Sequence, residues 1–470
     1  MHPILAADLS NIDVLLEKTR HHAVQALGTL QDRPAALAPR PFQLKRLPDE
    51  ARGLQAALDE FTERWSPGFS GSAGPRYLGF VTGGATPASV AGDWLTSVYD
   101  QNPTAGIDSS APDLERETVR QLADLFGIGA DHNGVLVSGA TMSNFVGLAI
   151  GREWLGELRG IRVSDVGVSE LGKAHVISGT PHSSIYKALS MLGIGRKAVH
   201  KIPTLQSREA VDIAALENAL EGLVGESVIV VASAGTVNTV DFDDLIAIAK
   251  LKERYTFWLH VDAAFGAFAA LSPADAHLTK GLDQADSICI DLHKWLNVPY
   301  DSAVQFSKRR DLQTRIFMNA SAYLGMPGDN PDFVHLTPEN SRRLRAMATW
   351  FSLNAYGRAG HAEIVERNIR LARDLGDRIA RETRLKLLAP TRLNVVCFTL
   401  ADNPNEARVN AYAKEIRDLG VVFITTTVHA GTWGLRVAFC NWRTSAADVE
   451  MIAASLVTAL RFDQVPVATT

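Results

Sequence analysis

Four short segments of this 470-residue chain carry side chains that could do chemistry together. Lys294 stands between His293 and Trp295, directly after the apolar run Ser287-Ile288-Cys289-Ile290-Asp291-Leu292. Most lysines are solvated surface residues. One held beside apolar walls is expected to have a lowered pKa and to act as an amine nucleophile toward carbonyls. Asp262 closes a second apolar run, FWLHV, and is followed by Ala263-Ala264-Phe265-Gly266. A carboxylate there must be solvated, paired or hydrogen-bonded, because burying it bare is expensive. A basic ring nitrogen is a suitable partner, and the small residues after it admit something flat. His182, in Thr180-Pro181-His182-Ser183-Ser184, could stack on a flat ligand or move a proton, although a lone turn histidine is more often a cap. Ser138-Gly139-Ala140-Thr141-Met142-Ser143-Asn144 lies between an apolar run and a helical pattern. Small residues at a helix N-terminus leave backbone N–H groups free for an anion, so this segment can cradle a phosphate. Taken singly each segment has an ordinary explanation. A phosphate cradle, a stacking histidine, a strand-end acid and a nucleophilic lysine, in that chain order, together describe a pyridoxal 5′-phosphate (PLP) site.

The elements around these residues fit that reading. From about residue 111 to 310, helical segments alternate with the short runs GVLVSG, AHVISGT, AVHKIP, SVIVVASAG, FWLHVDAA and SICIDLH. That alternation predicts an α/β domain with a mostly parallel sheet, and the four segments fall at strand ends, where such sheets bind ligands. Residues 1 to about 65 read as helix, loop, helix, with Asp8 or Ser10 capping a helix through Arg20. This piece has little core of its own and is expected to pack on something else, such as a second subunit. Gly/Pro/Ser/Thr-rich loops occupy 66–110. Long helices are expected at about 338–383, then strand, helix, strand, strand, helix as a smaller α+β domain. The expected division is 1–74, 75–350 and 351–470.

Composition excludes other classes. Apolar residues make up 46% and charged residues 21%, which is ordinary globular composition. The net charge of −5 gives no basic excess for nucleic acid. Three scattered cysteines, Cys289, Cys397 and Cys440, fit neither a zinc ribbon nor a disulfide framework, and no metal site is expected. No signal peptide or membrane-spanning run is evident, so a cytoplasmic protein is expected. Gly193-Ile194-Gly195 lacks the third glycine of a dinucleotide fingerprint.

HVDAAFGAF and DLHKWLNVPYDSA, with PHSSIYKA, SAGTVNTVDFDDL and GLRVAFCNWRT, resemble the group II PLP-dependent amino-acid decarboxylases. The resemblance runs from about Pro75 to the C-terminus. It implies a PLP-dependent transferase fold of the aspartate-aminotransferase type, and an intertwined homodimer with active sites at the interface. Lys294 would carry the cofactor as a Schiff base, Asp262 would pair with the pyridine nitrogen, and Ala264 and His182 would pack on opposite ring faces. Ala140, Thr141 and His293 would hold the phosphate. Thr236 would contact the cofactor or the substrate. Arg436 would meet the substrate carboxylate, with Phe80, Val81 and Thr82 on the substrate side. Tyr323, 29 residues after Lys294, matches the family's mobile-loop tyrosine and would return a proton to Cα. The implied reaction is decarboxylation of an L-amino acid, with an aromatic or other apolar side chain favoured. The alternatives are an aldehyde synthase or a carbon–carbon lyase of the same fold. Asp291 departs from the asparagine common in the family, and an acid there would repel a phosphate unless it turns away. Residues 103–107 carry none of the aromatics found in aromatic-specific relatives.

Overall fold

All six runs named above are strands in the computed structural model, which describes residues 1–38, 41–319, 327–328 and 330–461. They are β1 (Asn133–Val137), β2 (Ala174–Ser178), β3 (Val199–Lys201), β4 (Ser227–Ser233), β5 (Trp258–Asp262) and β6 (Ser287–Asp291). A seventh, β7 (Ala303–Ser307), completes one sheet in the order β1-β7-β6-β5-β4-β2-β3. Pairing is parallel from β6 through β5, β4 and β2 to β3. Only β7 runs against its neighbours, β1 and β6. Its Gln305 and Ser307 break the apolar signal, so it was not evident in the sequence, yet both are fully buried.

Both faces of this sheet are covered, which explains the near-continuous apolar runs. Successive residues of β4 point into different cores. Val228, Val230 and Ala232 join one, with Leu259 and Phe306. Ile229 and Val231 join the other, with Trp258 and Val176. The helices α5 (Ala111–Phe126) and α6 (Ala140–Leu158) pack on opposite faces of the sheet, as their buried residues divide between the same two cores.

A second sheet, antiparallel and in the order β10-β11-β9-β8, follows near the C-terminus. Its strands are β8 (Leu385–Leu387), β9 (Val395–Leu400), β10 (Thr425–His429) and β11 (Thr432–Ala438). They share a separate core with helices Glu406–Asp418 and Ala446–Ala459. The long helix Ala346–Arg381, broken at Gly357 (φ 57°), leads into it. It starts later than the sequence pattern suggests.

The N-terminal helices α1 (Pro3–Ser10), α2 (Ile12–Gly28) and α3 (Gly53–Glu60) correct one expectation. Asp8 and Ser10 do not cap a helix running to Arg20; both lie within α1. Ser10 donates to the Ala6 carbonyl, and Asp8 instead accepts the Leu54 N–H at the start of α3. Leu5, Leu9, Val14 and Leu16 are left exposed. No helix among the described residues is long and apolar enough to cross a membrane.

Candidate active site

The four segments meet where the parallel strands end, and they line one cavity of about 500 Å³. After β1 the chain turns at Gly139 and enters α6, whose first residues Ala140, Thr141 and Met142 line the cavity. No side chain caps this terminus, so its free N–H groups are available to an anion. The turn is tight against the next segment: a Cβ on Gly139 would lie 3.3 Å from His293 Cε1.

Lys294 follows β6, with its Nζ 3.3 Å from Asp291 Oδ2 and above the Phe265 ring. Burial pushes the amine pKa down, but the Asp291 and Asp262 carboxylates outweigh it and hold the amine above the ordinary lysine value. This reverses the expectation of a lowered pKa, because the apolar walls come with a counter-ion. Burial likewise pushes Asp291 up, and Lys294 and His293 overcome it and hold the carboxyl low. His293 turns toward this acid, Nε2 to Oδ1 3.1 Å, while its Nδ1 accepts the Ser302 N–H. His293 also lines the cavity.

Asp262 is held at both oxygens. Oδ1 accepts the Ala264 N–H (3.2 Å) and Oδ2 accepts Asn144 Nδ2 (3.0 Å). His182 precedes the helix Ser183–Met191, and its Nδ1 accepts the Ser184 N–H. Burial lowers its pKa, partly opposed by Asp262, which favours the neutral ring. Ala264 lines the cavity as expected.

The remaining expectations divide. Arg436 reaches in from β11, with Nη1 donating to the Val237 carbonyl and a buried Nε left without a partner. Burial pushes its pKa down. Thr236 also lines the cavity, but its hydroxyl is already committed: it donates to Glu209 Oε2 and accepts the Asp241 N–H. Phe80 and Val81 form a wall, both in the left-handed backbone region (φ 59° and 60°), which is unusual for a β-branched residue. Thr82 does not line the cavity; it is buried and its hydroxyl pairs with Tyr300 (3.1 Å). Tyr323 lies outside the described residues. Sequence reasoning overlooked Asn144, Ser184, His260 and Glu209 as parts of the site. Asn144 lay within a segment read only as a phosphate cradle.

The uncapped helix end, the doubly held Asp262 and the partly buried Lys294 amine fit PLP, a flat anionic aldehyde with a basic ring nitrogen. Fold and site together define a PLP-dependent enzyme of the aspartate-aminotransferase fold type. The conserved-domain model of the pyridoxal-dependent decarboxylases matches residues 39–401, and the chain belongs to that family. It is accordingly a PLP-dependent amino-acid decarboxylase, a carboxy-lyase. An aromatic-L-amino-acid decarboxylase of Bacillus atrophaeus is 27% identical over 393 residues, covering 80% of this chain and 79% of that one. A 3,4-dihydroxyphenylacetaldehyde synthase of Drosophila melanogaster is also 27% identical, over 435 residues, covering 86% and 82%. The fold is shared with Oryza sativa TDC, solved with PLP and tryptamine: the TM-score is 0.87 at 21% identity, covering 97% and 99% of the two chains.

Proposed function

We propose that this enzyme decarboxylates an L-amino acid with an aromatic or other apolar side chain, as a cytoplasmic homodimer with its active sites at the interface. The observation that carries the substrate reading is the make-up of the cavity wall. Phe80 and Val81 are apolar, while the two acids that line it among the described residues, Asp262 and Asp291, are already engaged with Asn144 and Lys294. Neither is left for a side-chain ammonium, and Arg436 is available to the substrate carboxylate. The relatives named as aromatic-L-amino-acid decarboxylases agree with this. The exposed apolar face of α1 and α2 supports a dimer.

Bound PLP supplies an electron sink for the pair left behind as carbon dioxide departs. The chain's residues do the rest. Lys294 would carry the cofactor, and the N-terminus of α6, with Ala140 and Thr141, would hold its phosphate. Asp262 would keep the ring nitrogen protonated, and His182 and Ala264 would confine the ring. Thr236 acts at second hand by fixing the loop that Arg436 also grips. Arg436 orients the substrate by its carboxylate. Tyr323 delivers the proton to Cα.

The test is to incubate PLP-loaded protein with single aromatic, acidic, basic and branched L-amino acids and to read products by mass spectrometry. Amine and carbon dioxide from the aromatic or branched set are expected. Turnover confined to acidic or basic substrates would overturn the substrate reading.

A further inference from the structure

Beneath the cofactor cavity a chain of buried hydrogen bonds runs from a tryptophan to the stacking histidine. Trp258 Nε1 donates to Ser287 Oγ (3.0 Å), and Ser287 Oγ lies 2.8 Å from His260 Nδ1. His260 Nε2 is 2.8 Å from Asn144 Oδ1. Asn144 Nδ2 then branches, to Asp262 Oδ2 (3.0 Å) and to Ser184 Oγ (3.1 Å). Ser184 Oγ lies 2.8 Å from His182 Nδ1. Trp258, Ser287, His260, Asn144 and Ser184 are all buried.

Helix and strand are cut to fit this chain. Trp258, His260 and Asp262 alternate along β5 and share one face. Asn144, Gly147 and Gly151 lie on the face of α6 that covers it. A Cβ on Gly147 would stand 2.7 Å from His260 Cε1, and one on Gly151 would stand 2.8 Å from Trp258 Cδ1. The two glycines make room for the two rings, and Asn144 meets the acid.

The carboxylate end of the chain dictates where its protons lie. An indole N–H can only donate, and an ionised carboxylate can only accept. Asp262 takes the NH₂ side of Asn144, so Asn144 Oδ1 faces His260 Nε2 and that nitrogen carries the proton. In the neutral ring Nδ1 then accepts the Ser287 hydroxyl proton. The other end is compatible with this direction, because the Ser287 hydroxyl takes the Trp258 indole N–H on a lone pair. His182 Nδ1 accepts the Ser184 backbone N–H (3.3 Å) and so carries no proton, and Ser184 Oγ, which accepts from Asn144, donates to it.

We propose that Asp262 fixes the direction of this chain, and that it holds His182 as its Nε2–H tautomer, with His260 and Asn144 as positioning residues. The Asp262 carboxylate and the His182 ring, which face the cofactor from different elements, are thereby oriented by a single amide. His182 presents a proton to the cavity at one defined atom. The consequence for turnover rests on the decarboxylase reading; the tautomer does not.

The test is made on histidine-labelled, PLP-loaded protein. The ¹³Cδ2 and ¹⁵N shifts of His182 and His260 are assigned with His182→Gln and His260→Gln. Both rings are expected to be neutral with the proton on Nε2 at pH 7. A proton on Nδ1 of either ring, or a charged ring, would overturn the proposal. In a second arm, His260→Leu strands Asn144 Oδ1, whereas His260→Gln can still donate to it and accept from Ser287. His260→Leu should raise the Kd for PLP roughly tenfold and release His182 from its single tautomer, and His260→Gln should restore both. If His260→Leu leaves both unchanged, the proposal fails. If that variant does not fold, the shifts of the unmodified protein decide. None of these readouts measures amine formation, so the decarboxylase reading stands or falls separately.

Discussion

Asp291 Oδ2 and Lys294 Nζ lie 3.3 Å apart at the end of β6, an ion pair whose acid is buried and whose lysine faces the cavity above the Phe265 ring. The amine must lose its proton before it can take up an aldehyde, and Asp291 opposes that loss. Replacing Asp291 with Asn removes the opposing charge at nearly constant volume. The pH profile for PLP capture by the cofactor-free protein should therefore move in the acid direction by about one pH unit or more, with faster capture at neutral pH. Stopped-flow absorbance against pH measures this. A profile that stays in place would mean that the pair does not control the amine.

Gly83 approaches the same lysine from behind. A Cβ there would stand 1.7 Å from the Lys294 carbonyl oxygen and 2.9 Å from its carbon. Neither atom belongs to a flexible side chain, so the backbone that aims the amine must move. Gly83→Ala should lower stability by about 1–3 kcal/mol, the usual range for overpacking, and should reduce bound PLP. Gly28→Ala is the control, because nothing lies within 4 Å of its Cβ position. Equal urea midpoints and equal PLP content in the two variants would contradict the geometry.

Tyr323 bears on reaction outcome. If it supplies the proton to Cα, Tyr323→Phe should shift product from amine toward aldehyde and hydrogen peroxide when oxygen is present. Mass spectrometry with a coupled peroxide assay gives the ratio. An unchanged amine yield would remove Tyr323 from that role.

How much of this was legible in the sequence follows from which signals are local. Six strands of the large sheet could be read because burial on both faces makes each a short apolar run, and β7 could not because buried Gln305 and Ser307 look like surface residues. Lys294, Asp262 and His182 stood out because they terminate such runs. The state of Lys294 did not, because its pKa depends on where Asp291 points, and three residues of separation leave that open. Asn144 and His260 are 116 residues apart, and only the packing of α6 on β5 brings them to 2.8 Å. The spacing of Gly147 and Gly151 against Trp258 and His260 was the available trace of that packing. It becomes meaningful only once helix and strand are known to face each other.

Buried neutral histidines should also make the fold acid-sensitive, and the sign can be worked out. Burial lowers His260 from 6.5 to about 4, opposed slightly by Asp262, and it lowers His361 similarly, opposed by the Ser352 carbonyl. Between pH 6.5 and 4 the unfolded chain binds these two protons and the native protein does not. Stability therefore falls as pH drops through that window. At pH 5 each histidine accounts for about 2 kcal/mol of the loss. Asp243 works in the opposite sense. Burial raises its carboxyl to about 6, so between about 4 and 6 the native protein holds a proton that the unfolded chain releases, which offsets part of the loss. His361 does not line the cofactor cavity and makes one hydrogen bond, Nε2 to the Ser352 carbonyl at 3.3 Å. His361→Leu removes one titrating group without touching the site. The difference between its urea midpoints at pH 7 and pH 5 should be smaller than that of the unmodified protein. An equal difference would show that His361 does not stay neutral in the native state across that range.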